Sequence, residues 1–151
     1  MNLRSAAMAC LTIILTASSS AQTTTTDVSG MYAFLKQGEF VQLSVQDDKL
    51  SGFVSRLGDL DSDRGTTLDH FIKQGSLNRG ELTFTTEMIH GVWFEFKGRI
   101  DRGEGKLRGD EAYYVLRGKL IQYTSDAQKK VSAASREVAL KSLPEGEAET
   151  R

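Results

Sequence analysis

Residues 81–101, Glu-Leu-Thr-Phe-Thr-Thr-Glu-Met-Ile-His-Gly-Val-Trp-Phe-Glu-Phe-Lys-Gly-Arg-Ile-Asp, constrain the fold more than any other stretch of the chain. Apolar and polar residues alternate on both sides of His90-Gly91, which is the period of half-buried strands. The register follows from keeping one face dry. A two-residue His-Gly turn sets Phe84 against Lys97 and Phe94 against Glu87, which mixes the faces. A three-residue loop, Ile89-His90-Gly91, instead pairs Met88 with Val92, Thr86 with Phe94 and Phe84 with Phe96. Glu87, Thr85 and Thr83 then face Trp93, Glu95 and Lys97 on the other side. A slip of one residue would expose the dry face, so this hairpin is expected with the three-residue loop and a left-handed Gly91.

The same pattern recurs upstream. A strand over 29–36, a Gln37-Gly38 turn and a second strand pair Lys36 with Glu39, Phe34 with Val41 and Tyr32 with Leu43. An Asp47-Asp48 turn then pairs Val45 with Leu50, Leu43 with Gly52 and Val41 with Val54. One apolar face runs through Tyr32, Phe34, Val41, Leu43, Val45, Leu50 and Val54. The opposite face is polar, apart from Phe40 and Phe53. Gly52 in mid-strand marks a bend. A polar loop over 57–67 leads to a fourth strand at 67–73, on which Leu68, His70 and Ile72 share a face and Phe71 takes the other. A turn over 74–80 precedes the central hairpin. After a charged loop at 102–110, residues 111–124 give one long strand, or two bent at Gly118. Residues 125–140 change period: Ala127, Val131, Ala134 and Val138 recur at helical spacing, and Ser125-x-x-Gln128 forms a capping box. A C-terminal helix packed on the sheet is therefore expected, with 138–143 as the alternative last strand.

An antiparallel meander exposes two edges, and closure into a barrel removes both. Gly30-Met31-Tyr32, then Phe40-Val41-Gln42-Leu43, then Leu50-Ser51-Gly52-Phe53-Val54 resembles the opening of the avidin and lipocalin (calycin) barrels. Those families begin with a Gly-x-aromatic strand and continue as a meander. The resemblance implies an up-and-down barrel and, in the lipocalin manner, a C-terminal helix and an enclosed small ligand. Phe34 and Val54 stand where avidins present polar groups to biotin, so no binding residue is carried over.

Residues 1–21 read as a secretory signal peptide. Arg4 gives the positive start, an apolar run spans 6–17, and Ser19-Ser20-Ala21 offers small residues for cleavage. The apolar run is shorter than the roughly 20 residues a spanning helix needs. Residues 22–28 form a polar lead-in expected to be disordered, 29–143 a single domain, and 144–151 an acidic tail. Cys10 is the sole cysteine, so a processed chain has no disulfide and no thiolate site. Such a chain is expected in a bacterial periplasm or outside the cell. Loss of Arg4 leaves 18 basic residues against 20 acidic ones, interspersed, which argues against a nucleic-acid footprint.

Chemistry-bearing residues are few. Asp59, Asp61 and Asp63 lie two apart, as in calcium loops, but Arg64 replaces the turn glycine and His70 the bidentate glutamate, so a solvated acidic turn is expected. His90 belongs at a turn tip. A zinc site would need both histidines with Glu87 or Glu95. No nucleophile elbow or phosphate loop occurs. No cofactor is expected. Candidate ligand-binding residues are Tyr32, Arg56, Arg64, His70, Trp93, Glu95 and Tyr114.

The expectation is thus a mainly β protein, an antiparallel meander closing into a 7–8-stranded barrel with one C-terminal α-helix. Its expected function is non-catalytic binding of a small apolar or amphipathic ligand in the barrel. The alternatives are an envelope interaction module with a filled barrel, with a homo-oligomer or envelope partner, and a small hydrolase or isomerase using His70 and nearby carboxylates.

Overall fold

The computed structural model describes residues 27–146 apart from Asp48. The expected leader, most of the lead-in and the end of the acidic tail lie outside the described residues. Eight antiparallel strands follow one another in a single sheet: β1 (Gly30–Ala33), β2 (Phe40–Gln46), β3 (Lys49–Leu57), β4 (Thr67–Asn78), β5 (Glu81–Thr86), β6 (Val92–Arg102), β7 (Tyr114–Ser125) and β8 (Val131–Lys141). Each pairs with its neighbour in the chain, and the sheet curls into a half-barrel. Its first and last strands meet where Tyr32 bridges Ser142 and the Leu143 N–H donates to the Met31 carbonyl. Among the described residues no helix is long and apolar enough to cross a membrane.

Alternation puts the apolar set inside. Tyr32, Val41, Leu43, Val54, Leu82, Phe84, Phe94, Phe96, Leu116 and Leu120 are all essentially without solvent contact. The rings pack on one another: Phe34 meets Phe94 edge-on at 5.3 Å between centroids, and Phe84 stacks on Phe96 at 5.4 Å. Each such pair contributes about 1 kcal/mol beyond the area it buries. Val28, assigned by sequence to the disordered lead-in, is also buried, and its carbonyl accepts the Tyr32 hydroxyl at 2.7 Å.

The β2–β3 register is the expected one, with Val45 on Leu50, Leu43 on Gly52 and Val41 on Val54. The β1–β2 register is displaced by two residues, Tyr32 pairing with Val41 rather than Leu43. The turn is longer than two residues, since the Phe34 N–H donates to the Glu39 carbonyl. A shift of two preserves the faces, so the inward set is unchanged. The fourth strand runs on to Asn78 instead of ending at 73. A bulge between Ile72 and Gln74 lets it continue, and the turn shrinks to Arg79-Gly80, both with positive φ.

The helix expected over 125–140 is not formed. The Asp126 carboxylate accepts the N–H groups of Gln128 and Lys130, Lys129 takes φ 62°, and the chain reverses into β8. The apparent capping box is a turn. Small and β-branched residues are compatible with either period, and β7 offers a partner along the whole of β8, from Ser125–Val131 to Val115–Lys141. Propensity at this spacing gives way to pairing.

Gly52 sits opposite Leu43 with φ 136°, in the left-handed range that favours glycine. A Cβ there would run into the Gln42 carbonyl oxygen. Gly52→Ala should lower stability by about 2 kcal/mol or more in urea unfolding; an unchanged midpoint would show that this position does not need glycine.

Candidate functional site

In an up-and-down meander alternate turns lie at one end. Four of them gather here: the 34–39, 58–66, 87–91 and 126–130 connections. They are tied to one another by polar contacts. Lys36 Nζ meets Asp59 Oδ1 at 2.7 Å, and His90 Nδ1 meets Asp63 Oδ2 at 2.7 Å. The Ser125 N–H donates to the Gly91 carbonyl at 2.7 Å. Glu39 is buried, and its two carboxylate oxygens accept the backbone N–H groups of Lys36 and Leu57.

Beneath these turns lie the only buried cationic side chain and the only buried imidazole among the described residues. Arg56 is on the inner face at the end of β3, and His70 is on the inner face of β4, opposite Val54. Arg56 Nε is 2.9 Å from His70 Nε2. A guanidinium can only donate, so Nε2 must accept, and the proton of the neutral ring is assigned to Nδ1. Nδ1 lies 3.3 Å from the Glu87 carbonyl oxygen. Burial, with the adjacent Arg56 charge adding to it, holds the imidazole below its ordinary value of 6.5. Its ring meets Phe94 edge-on at 5.3 Å.

The carbonyl that receives His70 is available because the central hairpin departs from the expected loop. Phe84 pairs with Phe96 and Thr85 with Glu95, as the dry face requires. Ile89, not Met88, bridges Val92, and the turn is His90-Gly91 with φ 48° and 73°. The extra residue is absorbed at Glu87-Met88, where β5 has ended. The Glu87 N–H turns to the Phe71 carbonyl, and the Glu87 carbonyl accepts from His70 and from the Thr86 hydroxyl. Thr86 Oγ1 in turn accepts the Phe94 N–H at 3.0 Å. A two-residue turn with two left-handed residues is satisfied at the tip, and the slip is taken up where it supplies an acceptor.

The candidate residues from sequence therefore separate. Arg56 and His70 come together, sealed from solvent. Arg64 is exposed and pairs only with Asp61, at 2.6 Å. Tyr32 lies towards the opposite end, bonded to Val28. Tyr114 is also at that end, edge-on to Tyr113, over which Arg102 sits at 3.4 Å. Trp93 and Glu95 face outward. Trp93 does not pack under a helix but stacks on Tyr123 at 5.0 Å, whose hydroxyl donates to Glu95. The three loop carboxylates are drawn apart. Asp59 takes Lys36 and Arg56, Asp61 takes Arg64, and Asp63 turns inward to the Leu60 N–H and His90. Among the described residues no group of three His, Cys, Asp or Glu is arranged to hold a metal ion.

Two arrangements were not assigned a role from sequence. The first is the Asp63–His90 pair, with the carboxylate 2% exposed and the imidazole 51% exposed. His90 holds the Asp63 carboxyl below its usual range and ties the 58–66 loop to the 87–91 turn. The second is a row of rings on the outer face. Phe40 meets Phe53 at 5.8 Å, and Phe53 meets Phe71 at 5.6 Å. Outward parity was the signal for this row: Phe40 and Phe53 interrupt a polar face, and Phe71 opposes the Leu68–His70–Ile72 side.

His70 makes stability depend on pH. The folded state favours the neutral ring, so unfolding takes up a proton between the lowered value and 6.5. Stability is complete above about 6.5 and is lost as pH falls through the folded value. Asp27, held at about 2, and Asp63 act only below about 4. Urea unfolding between about pH 7.5 and 5 should therefore show a falling midpoint that flattens in His70→Gln; equal slopes in both proteins would contradict this. No protein-family model, curated protein or solved structure matches the chain.

Proposed function

We propose that the protein is an exported, non-catalytic interaction module, a half-barrel with a filled interior that docks a protein partner through the outward row Phe40–Phe53–Phe71. The observation that carries this reading is the exposure of Phe71, 54%, whose ring lies tilted against Phe53, itself edge-on to Phe40, on an otherwise polar surface. Gln42, Ser51, Asp69 and Lys73 share that outer face by strand parity. An aromatic centre with a polar rim is the composition of a protein-binding patch.

Further features favour binding at the surface over an enclosed ligand or catalysis. The inward positions are taken by the protein's own rings, which contact one another. Two depressions, of about 420 and 510 Å³, lie on the outer face between β4 and β6 and between β5 and β8. The Arg56–His70 pair is closed to solvent, and its hydrogen bonds go to each other and to the Leu57 and Glu87 carbonyls, which suits a structural lock more than a catalytic base. His90 is reachable and oriented by Asp63, yet its described partner is that carboxylate alone, and a hydrolase needs a nucleophile beside the base.

A photoreactive side chain placed at Phe71 tests the reading. In extracts of the native envelope it should form one cross-linked adduct of defined protein mass, competed by unmodified protein and not by Phe71→Ser. Phe71→Ser removes one partly exposed ring contact and should change unfolding free energy by about 1 kcal/mol, leaving the protein folded. Equal competition by both would remove the aromatic row from the reading. A bound molecule of roughly a few hundred daltons in native mass spectrometry would instead favour the small-ligand carrier.

A further inference from the structure

Strand β8 is an edge without cover. Among the described residues only β7 pairs with Val131–Leu140, and residues 131–137 are exposed on both faces. Val131 alone is 52% exposed. Natural edges are blunted by shortness, proline, bulges or charge. This one is 11 residues long, pairs without a register shift and has no proline. Its stretch 131–139 carries only Arg136 and Glu137 as charged residues.

The direction of its backbone groups can be derived. The Asp126 N–H donates to the Lys130 carbonyl and the Ser142 N–H to the Tyr114 carbonyl, so even-numbered residues of β8 turn their polar groups to β7. The Leu143 N–H donates away from β7, to Met31 of β1, as an odd-numbered residue should. Hence Val131, Ala133, Ser135, Glu137 and Ala139 direct both N–H and C=O to the open edge.

We propose that this edge pairs with the same edge of a second copy of the chain, antiparallel about a two-fold axis at Ser135. Such an axis keeps each face on its own side and sets odd residues against odd ones. Val131 meets Ala139 of the second copy, Ala133 meets Glu137, and Ser135 meets Ser135, each pair exchanging two hydrogen bonds. Arg136 then lies opposite Ala134. Centring on Arg136 or Glu137 would oppose like charges, and centring on Ala133 would set Arg136 against Lys130. The Ser135 register avoids these conflicts and uses the whole open stretch. Two half-barrels would share one continuous sheet, an isologous contact that closes at two copies. This pairing is independent of the partner proposed for the aromatic row, which lies on β2–β4.

Sedimentation of the purified protein over a wide concentration range should show a monomer–dimer equilibrium. Ser135→Pro removes an edge N–H that β7 does not use and should weaken the dimer about tenfold or more. Amide exchange gives a second readout that does not depend on how the variant folds. In the dimer the N–H groups of Ala133, Ser135 and Glu137 are protected like those of Ala134 and Arg136; in a monomer protection alternates, with the odd residues exchanging fast. A monomer at every concentration with alternating protection would overturn the proposal. So would a dimer that a folded Ser135→Pro leaves intact.

Discussion

Phe94 is the point at which the curled sheet holds together. Its ring packs at a steep angle against those of Phe34, from beyond β1, and His70, from β4, each at 5.3 Å. Its N–H is bound by Thr86 of β5. Elements distant along the sheet thus meet on one side chain of β6, and a meander of neighbour-to-neighbour ladders gains contacts across its interior. Twist and the bulges in β3–β4 and β4–β5 bend the sheet. With the contacts of Phe94, the apolar face closes on itself and most of its rings lose solvent.

That packing also explains why a polar pair can be kept inside. His70 lies against Phe94 and Arg56 against His70, in an interior where an unsatisfied donor or acceptor would cost about 1–3 kcal/mol. The cost is avoided because each group has a partner: Nε for Nε2, and Nδ1 for the carbonyl released at Glu87. The slip at Glu87-Met88 is accordingly part of the interior and not a defect of the hairpin. A neutral imidazole beside a guanidinium is tolerated; two cations there would repel one another in a poorly solvated place.

Strand parity was legible in the residues, and it carried the core. Val41, Leu43, Val54, Phe84 and Phe96 alternate with polar neighbours, and the two-residue displacement of β1 could not alter which side they face. The end of β4 was less legible, because its alternation breaks at the bulge near Lys73. The C-terminal helix was misread because alanine, serine and valine at 131–139 suit either period, and the deciding factor, an unpaired β7, is tertiary. The Arg56–His70 contact joins residues 14 apart and Asp63–His90 residues 27 apart. Both depend on how the turns of different hairpins are stacked, and no local spacing encodes that. The outward rings were visible as exceptions to a polar face, but their mutual contact needed the register of three strands at once.

The bridge between Tyr32 and Ser142 has a consequence for the order of assembly. Every other ladder joins consecutive strands, so the sheet can grow hairpin by hairpin with only short loops to close. Joining β1 to the end of β8 closes a loop of more than a hundred residues, an entropic cost of about 4 kcal/mol if paid at the outset. Paid last, when the intervening strands are already fixed, it is nearly nothing. The seam should therefore form late in folding and open first in the native protein, so that β1 and the end of β8 part before any hairpin melts.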